Sequence, residues 1–417
     1  MADGRGRDWL GRPEVRVLDN GLTVGLLADD AAPVVSTALW IRAGAAHEPA
    51  GQEGVAHFLE HMMFKGSRRF AAGEIDRVTQ AAGGSNNAYT SHDSTVYVFS
   101  LPRGGWRTAL EIEADRLLGP TLDPGAVAAE REVILEEVAE VDDDPWDRLE
   151  TAVHEAFFGA HPYGRRILGR RASLQRVGAA ELAAFHGRAY APGQAVLMLA
   201  GAVGEEALAA AGELFASLTG RAVLEPLPAP AAPEGLRRVH VARGDTGRAL
   251  LALPSPAAAE RDFVGLRLAL TAVCGGRSSR LQRRLVDEGK LCGSVSTGLL
   301  ETVRPGTATV ALELLPGVEA ARAEDALFAE LERARRGGIE AADVERARRL
   351  LLADWLFGHE TIEQRGLTWG AGLALFGGDY VASQQRWLAE IAADEVVAAA
   401  ARFLDPERSG VLGWAGV

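Results

Sequence analysis

AVLEPLPAPAAPEGLRR, residues 222–238, sets how the rest of this chain is read. Pro226, Pro228, Pro230 and Pro233 remove backbone donors and fix φ, so the stretch can be neither a helix nor a central strand. It reads as a semi-stiff, extended linker. It lies near the middle of 417 residues and leaves 1–221 and 239–417 as halves of similar size. Each half is long enough to bury its own core. Near-equal halves raise the question of an internal duplication.

Both halves mix strands and helices. In the first, VRVLDNGLTVGLLA places an Asn-Gly pair between β-rich runs, a hairpin signal. VVSTALWIRAG reads as a strand, and an amphipathic helix around GVAHFLEHMMFKG (54–66) follows, then one around AGEIDRVTQAAG. Strands near NNAYTS and STVYVFSL precede long helices from Trp106 to about Phe158. VLMLAGAV closes the half as a strand before the helix GEEALAAAGELFASL. In the second half LRRVHVA, ALLALPSP and ATVALELL read as strands and FVGLRLALTAVCG as a helix, with helices expected from there to the end. Strands and helices come in blocks, so the expected class is α+β layers rather than a doubly wound sheet.

Composition narrows the function. The net charge of −13 offers no basic stripe for nucleic acid. It suits solubility or the attraction of basic peptides. No apolar run approaches membrane-spanning length, and MADGRGRDWLGRPEVRV has no apolar leader region. The expectation is therefore a cytoplasmic protein, or a periplasmic one if a leader has been trimmed. Cys274 and Cys292 form no CxxC pair and read as small apolar core residues of a reducing compartment, with a disulfide between them as the alternative.

On a helical wheel, Val55, Phe58, Leu59, Met62 and Met63 gather on one face, and His57, Glu60 and His61 on the opposite side. Histidines at i and i+4 can aim two imidazoles at one ion, and Glu60 beside them can reach a water. H-x-x-E-H is the inverzincin order, though a solvated pair of histidines with a chance acid also fits it. A catalytic zinc needs a third protein ligand and an open position. In AAEREVILEEVAEVDDD (128–144) the apolar face is Val127, Val133, Ile134, Val138 and Val141, with Leu135 astray. Glu130 and Glu137 project into it, which is costly unless each carboxylate is paired or metal-bound. Glu137 is thus a metal ligand or half of a buried ion pair, and Glu130 an acid that orients a ligand or substrate. Glu132, Glu136, Glu140 and Asp142 to Asp144 form a solvated acidic face.

HFLEHMMFKG, GGSNNAYTSHDSTVY, the ERxVILxE core of EREVILEE, and HPYGRRILG resemble the pitrilysin/insulinase family of zinc peptidases, most of all its mitochondrial-processing-peptidase-like bacterial branch. The likeness is dense from about Val15 to Gly169 and thinner beyond. It implies two structurally similar α/β-sandwich halves forming a clamshell: a zinc-binding catalytic domain (1–221), the linker (222–238) and a homologous non-catalytic domain (239–417). It implies one Zn2+ per chain on His57, His61 and Glu137, Glu60 as general base, and Glu130 as a further active-site acid. The metal then activates a water and polarises the peptide carbonyl, while Glu60 takes the proton and returns it to the leaving amine. The resemblance also places Asn87 and Ala88 on an edge strand that pairs with extended peptides, with Tyr89 flanking a side-chain pocket. His47, His92, His154 and His161 read as structural histidines.

The second half departs from the family. Members that act alone carry an arginine and, seven residues later, a tyrosine. In GGRSSRLQRRLVDEGKLCGSV those positions are Val286 and Gly293. Arg283 or Arg284 can replace the arginine only in part, and nothing replaces the tyrosine. The resemblance then implies a zinc-bearing metalloendopeptidase subunit of a heterodimer whose homologous partner supplies the pair. The alternative is a scaffold homologue that cleaves nothing, with no nucleic-acid or membrane partner in either case.

Overall fold

The computed structural model describes residues 10–222, 224–241, 244 and 246–416. The first nine residues of the N-terminal stretch, Val223 of the proline-rich stretch, and residues 242–243, 245 and 417 lie outside the described residues.

β1 (Glu14–Val17) and β2 (Thr23–Ala28) pair antiparallel as the Asn-Gly signal predicts. Gly21 takes φ +92°, a region costly for any residue with a Cβ, and the Asn20 side chain accepts the Leu22 N–H at 3.2 Å. With β3 (Val34–Ile41), β4 (Ser85–Thr90), β5 (Thr95–Pro102) and β6 (Ala195–Gly201) they form a sheet in the order β1-β2-β6-β3-β5-β4. The second sheet holds β7 (Gly235–Val241), β8 (Arg248–Ser255), β9 (Cys292–Leu299), β10 (Gly306–Leu314) and β11 (Ser409–Ala415), ordered β7-β11-β8-β10-β9. Without β1 the two sheets agree strand for strand. In each, the first pair is parallel and every later pair antiparallel. The duplication raised by the equal halves is present in the topology, and the class is mixed α/β with two similar halves.

Helices α1 (Val55–Met62), α2 (Glu74–Ala81), α3 (Trp106–Leu118), α4 (Pro124–Asp143), α5 (Pro145–Phe158), α6 (Arg171–Leu174), α7 (Ala179–Ala189) and α8 (Glu205–Phe215) belong to the first half. The second contributes α9 (Arg261–Cys274), α10 (Ala320–Arg333), α11 (Ala341–Gly358), α12 (Ile362–Ala371), α13 (Tyr380–Glu390) and α14 (Ala393–Phe403). None is long and apolar enough to cross a membrane.

The chain packs as two compact units that do not simply follow chain order. One comprises Met1–Leu135, Ile167–Glu225 and Leu356–Gly378, the other Glu136–Arg166, Pro226–Trp355 and Asp379–Val417. The exchanged helices are counterparts: α5 is the third helix after β5, and α12 the third after β10. Helix α5 packs on β7, β8 and β11, while α12 packs on β3 and β6. A cut at 222–238 separates the two sheets but not the packing units. Each sheet has two apolar faces to bury, and each unit completes that burial with a helix from the other half. The extended stretch is also shorter than 222–238, because Gly235 to Arg238 already pair with β11.

Two strands go unrecognised in the sequence. β9 (CGSVSTGL) and β11 (SGVLGWA) carry glycines that lower strand propensity. In β11 the glycine has a packing reason. A Cβ on Gly413 would stand 2.4 Å from Val153 and 2.8 Å from Leu149 of α5. The helix can lie on the sheet only because that side chain is missing.

In the first unit, Arg116 and Glu113 of α3 are 1% and 0% exposed and joined at 3.1 Å. The guanidinium lies over the rings of Phe64, Tyr97 and Phe99 at 4.5, 4.8 and 5.3 Å. In the second unit, Cys274 and Cys292 are buried free thiols, pushed up to about 12 and about 11 by burial. They are core residues and form no disulfide.

Candidate metal centre

Helix α1 begins at Gly54, which adopts φ +94°. A Cβ there would meet Leu168 O at 2.7 Å and the Gly169 Cα at 2.9 Å, so the GVAH and ILG motifs need their glycines against each other. Buried Glu48 accepts the Gly54 N–H through both oxygens (3.1 and 3.0 Å) and the Ala56 N–H at 2.9 Å. Its carboxylate holds the helix N-terminus, where backbone donors lack intrahelical partners and the dipole favours negative charge.

The wheel puts the packing face of α1 correctly: Val55, Phe58, Leu59, Met62 and Met63 are all buried. The opposite face is not a solvated one. His57 is 7% and Glu60 8% exposed, which removes the reading of a surface histidine pair. The two imidazole rings stand 4.6 Å apart. One potential ligand atom from each of His57, His61 and Glu137 lies within 4.8 Å of the others. Two imidazoles and a carboxylate gathered so closely are a donor set that fits zinc, and three protein ligands are the number that leaves a position open. Burial, and then the neighbouring His61, pushes His57 down to about 3, which keeps its imidazole neutral and able to donate a lone pair.

On α4 the apolar face is shifted from the expected one. Leu135 is 4% exposed and Val133 52%, so Val133 is the stray and Leu135 belongs to the core. The wheel weighted both by hydropathy alone, whereas packing selects the residues on the turn that meets its neighbours. On this helix Glu130 is buried and Glu137 half-buried. Glu130 Oε1 lies 2.9 Å from His61 Nδ1, and its Oε2 lies 2.6 Å from Lys65 Nζ. Burial works to raise this carboxyl, but the bonds and charges of Lys65 and His61 together hold it below the usual carboxylate range. A hydrogen bond at Nδ1 selects the tautomer whose lone pair is on Nε2.

Glu60 Oε2 accepts the Thr90 hydroxyl at 2.5 Å. Thr90 closes β4, the open edge of the first sheet, which is where Asn87, Ala88 and Tyr89 stand. Pairing puts Ala88 and Thr90 on one face with Tyr97 and Thr95, and Asn87 and Tyr89 on the other with Val98 and Val96. The side chains of Asn87 and Tyr89 therefore point away from Glu60. Asn87 Nδ2 donates to Tyr89 Oη at 2.8 Å, and its Oδ1 accepts the Ala88 N–H at 2.9 Å. Of Asn87, Ala88 and Tyr89, only Ala88 has its side chain on the Glu60 side, beside Thr90.

Glu48, Lys65 and Thr90 were not singled out in the sequence. Lys65 and Thr90 lie within HFLEHMMFKG and NNAYTS, where neither carries a role of its own. Of the structural histidines, His47 Nδ1 accepts the Gly44 N–H at 3.3 Å and His161 Nδ1 the Tyr163 N–H at 3.1 Å. Val286 packs on the edge of the second core, and Gly293 lies in β9, the counterpart of β4.

The model of the insulinase family, peptidase family M16, matches residues 24–171, and that of the M16 inactive domain matches 176–351. Uncharacterized zinc proteases of Mycobacterium leprae and Mycobacterium bovis are each 32% identical to the chain. The matches cover 68% and 73% of this chain and 64% and 70% of those proteins, so the chain spans about two thirds of their length. The mitochondrial-processing peptidase subunit beta of Blastocladiella emersonii is 35% identical over 46% of this chain and 41% of its own. A crystal structure of a Helicobacter pylori protease shares the fold, with a TM-score of 0.92 at 23% identity over 97% of this chain and 99% of that one. By its sequence and its two matched domains, the chain belongs to the insulinase family of peptidases, M16.

Proposed function

We propose that this chain is a zinc-dependent metalloendopeptidase subunit that cleaves extended or unfolded peptides. The observation that carries the reading is the gathering of His57, His61 and Glu137 within 4.8 Å, beside a buried Glu60. His57, His61 and Glu137 would hold one zinc ion, which when bound supplies Lewis acidity toward a water and the peptide carbonyl. Glu60 accepts the water's proton on its carboxylate and later delivers it to the leaving nitrogen. Glu130 holds the His61 ring and its tautomer. The edge of β4 lays the peptide out as an added strand, recognised mainly through its backbone. Relatives named zinc proteases support the metal.

The second half supports a shared site. Val286 and Gly293 stand where solitary family members carry arginine and tyrosine, and one relative is named as a subunit. We infer that a homologous partner supplies that pair. A quenched fluorescent peptide tests both clauses on the purified chain, with and without a homologue that carries the pair. The expected result is slow hydrolysis alone, fast hydrolysis in the mixture, loss with chelator and recovery with zinc. Full-rate cleavage by the monomer would remove the partner clause. Absence of cleavage in every arm would favour the scaffold reading. A second arm is the Val286→Arg, Gly293→Tyr double variant, expected to gain solitary activity. Gly293 has room for a Cβ, its nearest neighbour atom lying 3.8 Å away.

A further inference from the structure

Thr90 is the last residue of β4 and pairs with Thr95, the first of β5. In the 2.5 Å contact the Thr90 hydroxyl donates to Glu60 Oε2. The neighbouring hydroxyl does not compete for that role. Thr95 sends its proton to the Ala43 carbonyl at 3.1 Å, and its oxygen stands 3.5 Å from that of Thr90.

The turn that follows is held firmly. Ser91 N–H bonds to Ser94 O at 2.8 Å, and Ala45 and Ala46 donate to the carbonyls of Ser91 and His92 at 2.9 Å each. Threonine is also stiff at χ1, so its hydroxyl points where the backbone sends it. A rigid donor on a rigid strand end fixes one oxygen of Glu60.

We propose that Thr90 is a positioning residue for Glu60. It pins Oε2 and so orients the carboxylate, and it registers that carboxylate to the same strand edge along which the peptide is laid. This rests on Glu60 being the base. A hydroxyl that merely satisfied its own hydrogen-bonding capacity would matter for stability and leave turnover alone. A positioning role predicts loss of turnover without loss of binding, because a misdirected base is felt in the transition state and not in the ground-state complex.

The test compares wild type, Thr90→Val and Thr90→Ser, zinc-loaded and with the homologous chain present. In Thr90→Val, kcat should fall about 10- to 100-fold while KM stays within about twofold. Thr90→Ser should recover kcat to within about threefold, since it keeps the donor. Zinc affinity, by chelator competition, should be the same in all three. A readout independent of turnover uses zinc-free protein. A slowly exchanging, downfield hydroxyl proton in the NMR spectrum should be present in wild type and Thr90→Ser and absent in Thr90→Val. The proposal falls if Thr90→Val keeps wild-type kcat, if Thr90→Ser is as impaired as Thr90→Val, or if wild type lacks the proton. If wild type cleaves nothing, the peptidase reading fails instead, and the NMR comparison still decides whether Thr90 holds Glu60.

Discussion

Glu130 stands behind His61, with its Oε1 2.9 Å from the ring Nδ1, while Lys65 holds the other carboxylate oxygen at 2.6 Å. The acid that resembled a further catalytic residue is thus anchored on two sides, and one of its anchors is a proposed metal ligand. Its geometry is that of a group that orients the ligand and raises its basicity.

Glu130→Gln should therefore bind zinc more weakly by about 10- to 100-fold, the usual effect of removing a carboxylate that orients a metal-bound histidine. Competition with a chromogenic chelator measures it. An unchanged affinity would mean that Lys65, and not Glu130, sets the position of this corner of the site.

Glu60→Gln separates the base from the ligands. Zinc content should stay at one ion per chain while hydrolysis drops by about 10²- to 10⁴-fold. Metal analysis and peptide cleavage on the same sample check both halves, and near wild-type cleavage would sink the assignment of the base.

His57 makes the stability of the zinc-free protein depend on pH. Its folded value, about 3, lies below the unfolded one of about 6.5. The unfolded state therefore binds the extra proton first. The contribution of this group is complete above about pH 6.5 and is lost as pH falls toward about 3, at a slope of up to about 1.4 kcal/mol per pH unit. Urea titrations of wild type and His57→Gln across that window should differ in slope by close to one proton.

Arg116→Leu should cost about 3–5 kcal/mol at neutral pH, because Glu113 would keep a buried charge without its partner. Burial already raises the Glu113 carboxyl and Arg116 opposes the rise, so losing Arg116 raises it further. Protonation then relieves the penalty, which should shrink toward about pH 4. Adding Glu113→Leu should recover much of the loss. Urea unfolding at two pH values tests both statements.

Gly413→Ala probes the exchange of helices between the halves. Its Cβ would fall 2.4 Å from Val153, so α5 must shift or the strand must bend. Overpacking of this kind costs about 1–3 kcal/mol. A neutral effect in thermal unfolding would show that α5 is not held so closely against β11.

Much of the molecule is written locally. The Asn20-Gly21 hairpin follows from which residues tolerate a left-handed turn, and the α1 wheel follows from helix period. The proposed metal donors are legible because i, i+4 spacing and an acid in an apolar face are patterns within single helices. Glu137 needed only the cost of a carboxylate among valines to attract notice. The proline-rich stretch likewise excludes helix by covalent geometry alone.

The rest depends on what each segment meets. β9 and β11 are unrecognisable by propensity, because Gly413 answers to the approach of α5 and not to its own strand. Val133 and Leu135 trade places since hydropathy alone cannot say which turn of α4 faces its neighbours. Chain order cannot show that α5 and α12 cover each other's sheets, because a sheet face accepts any well-shaped apolar helix. Thr90 is an ordinary strand residue until the register of β4 on β5 turns its hydroxyl toward Glu60. The chain's own letters determined which atoms can bind a metal; the tertiary structure decided how they are buried and braced, since burial and bracing come from residues distant in sequence.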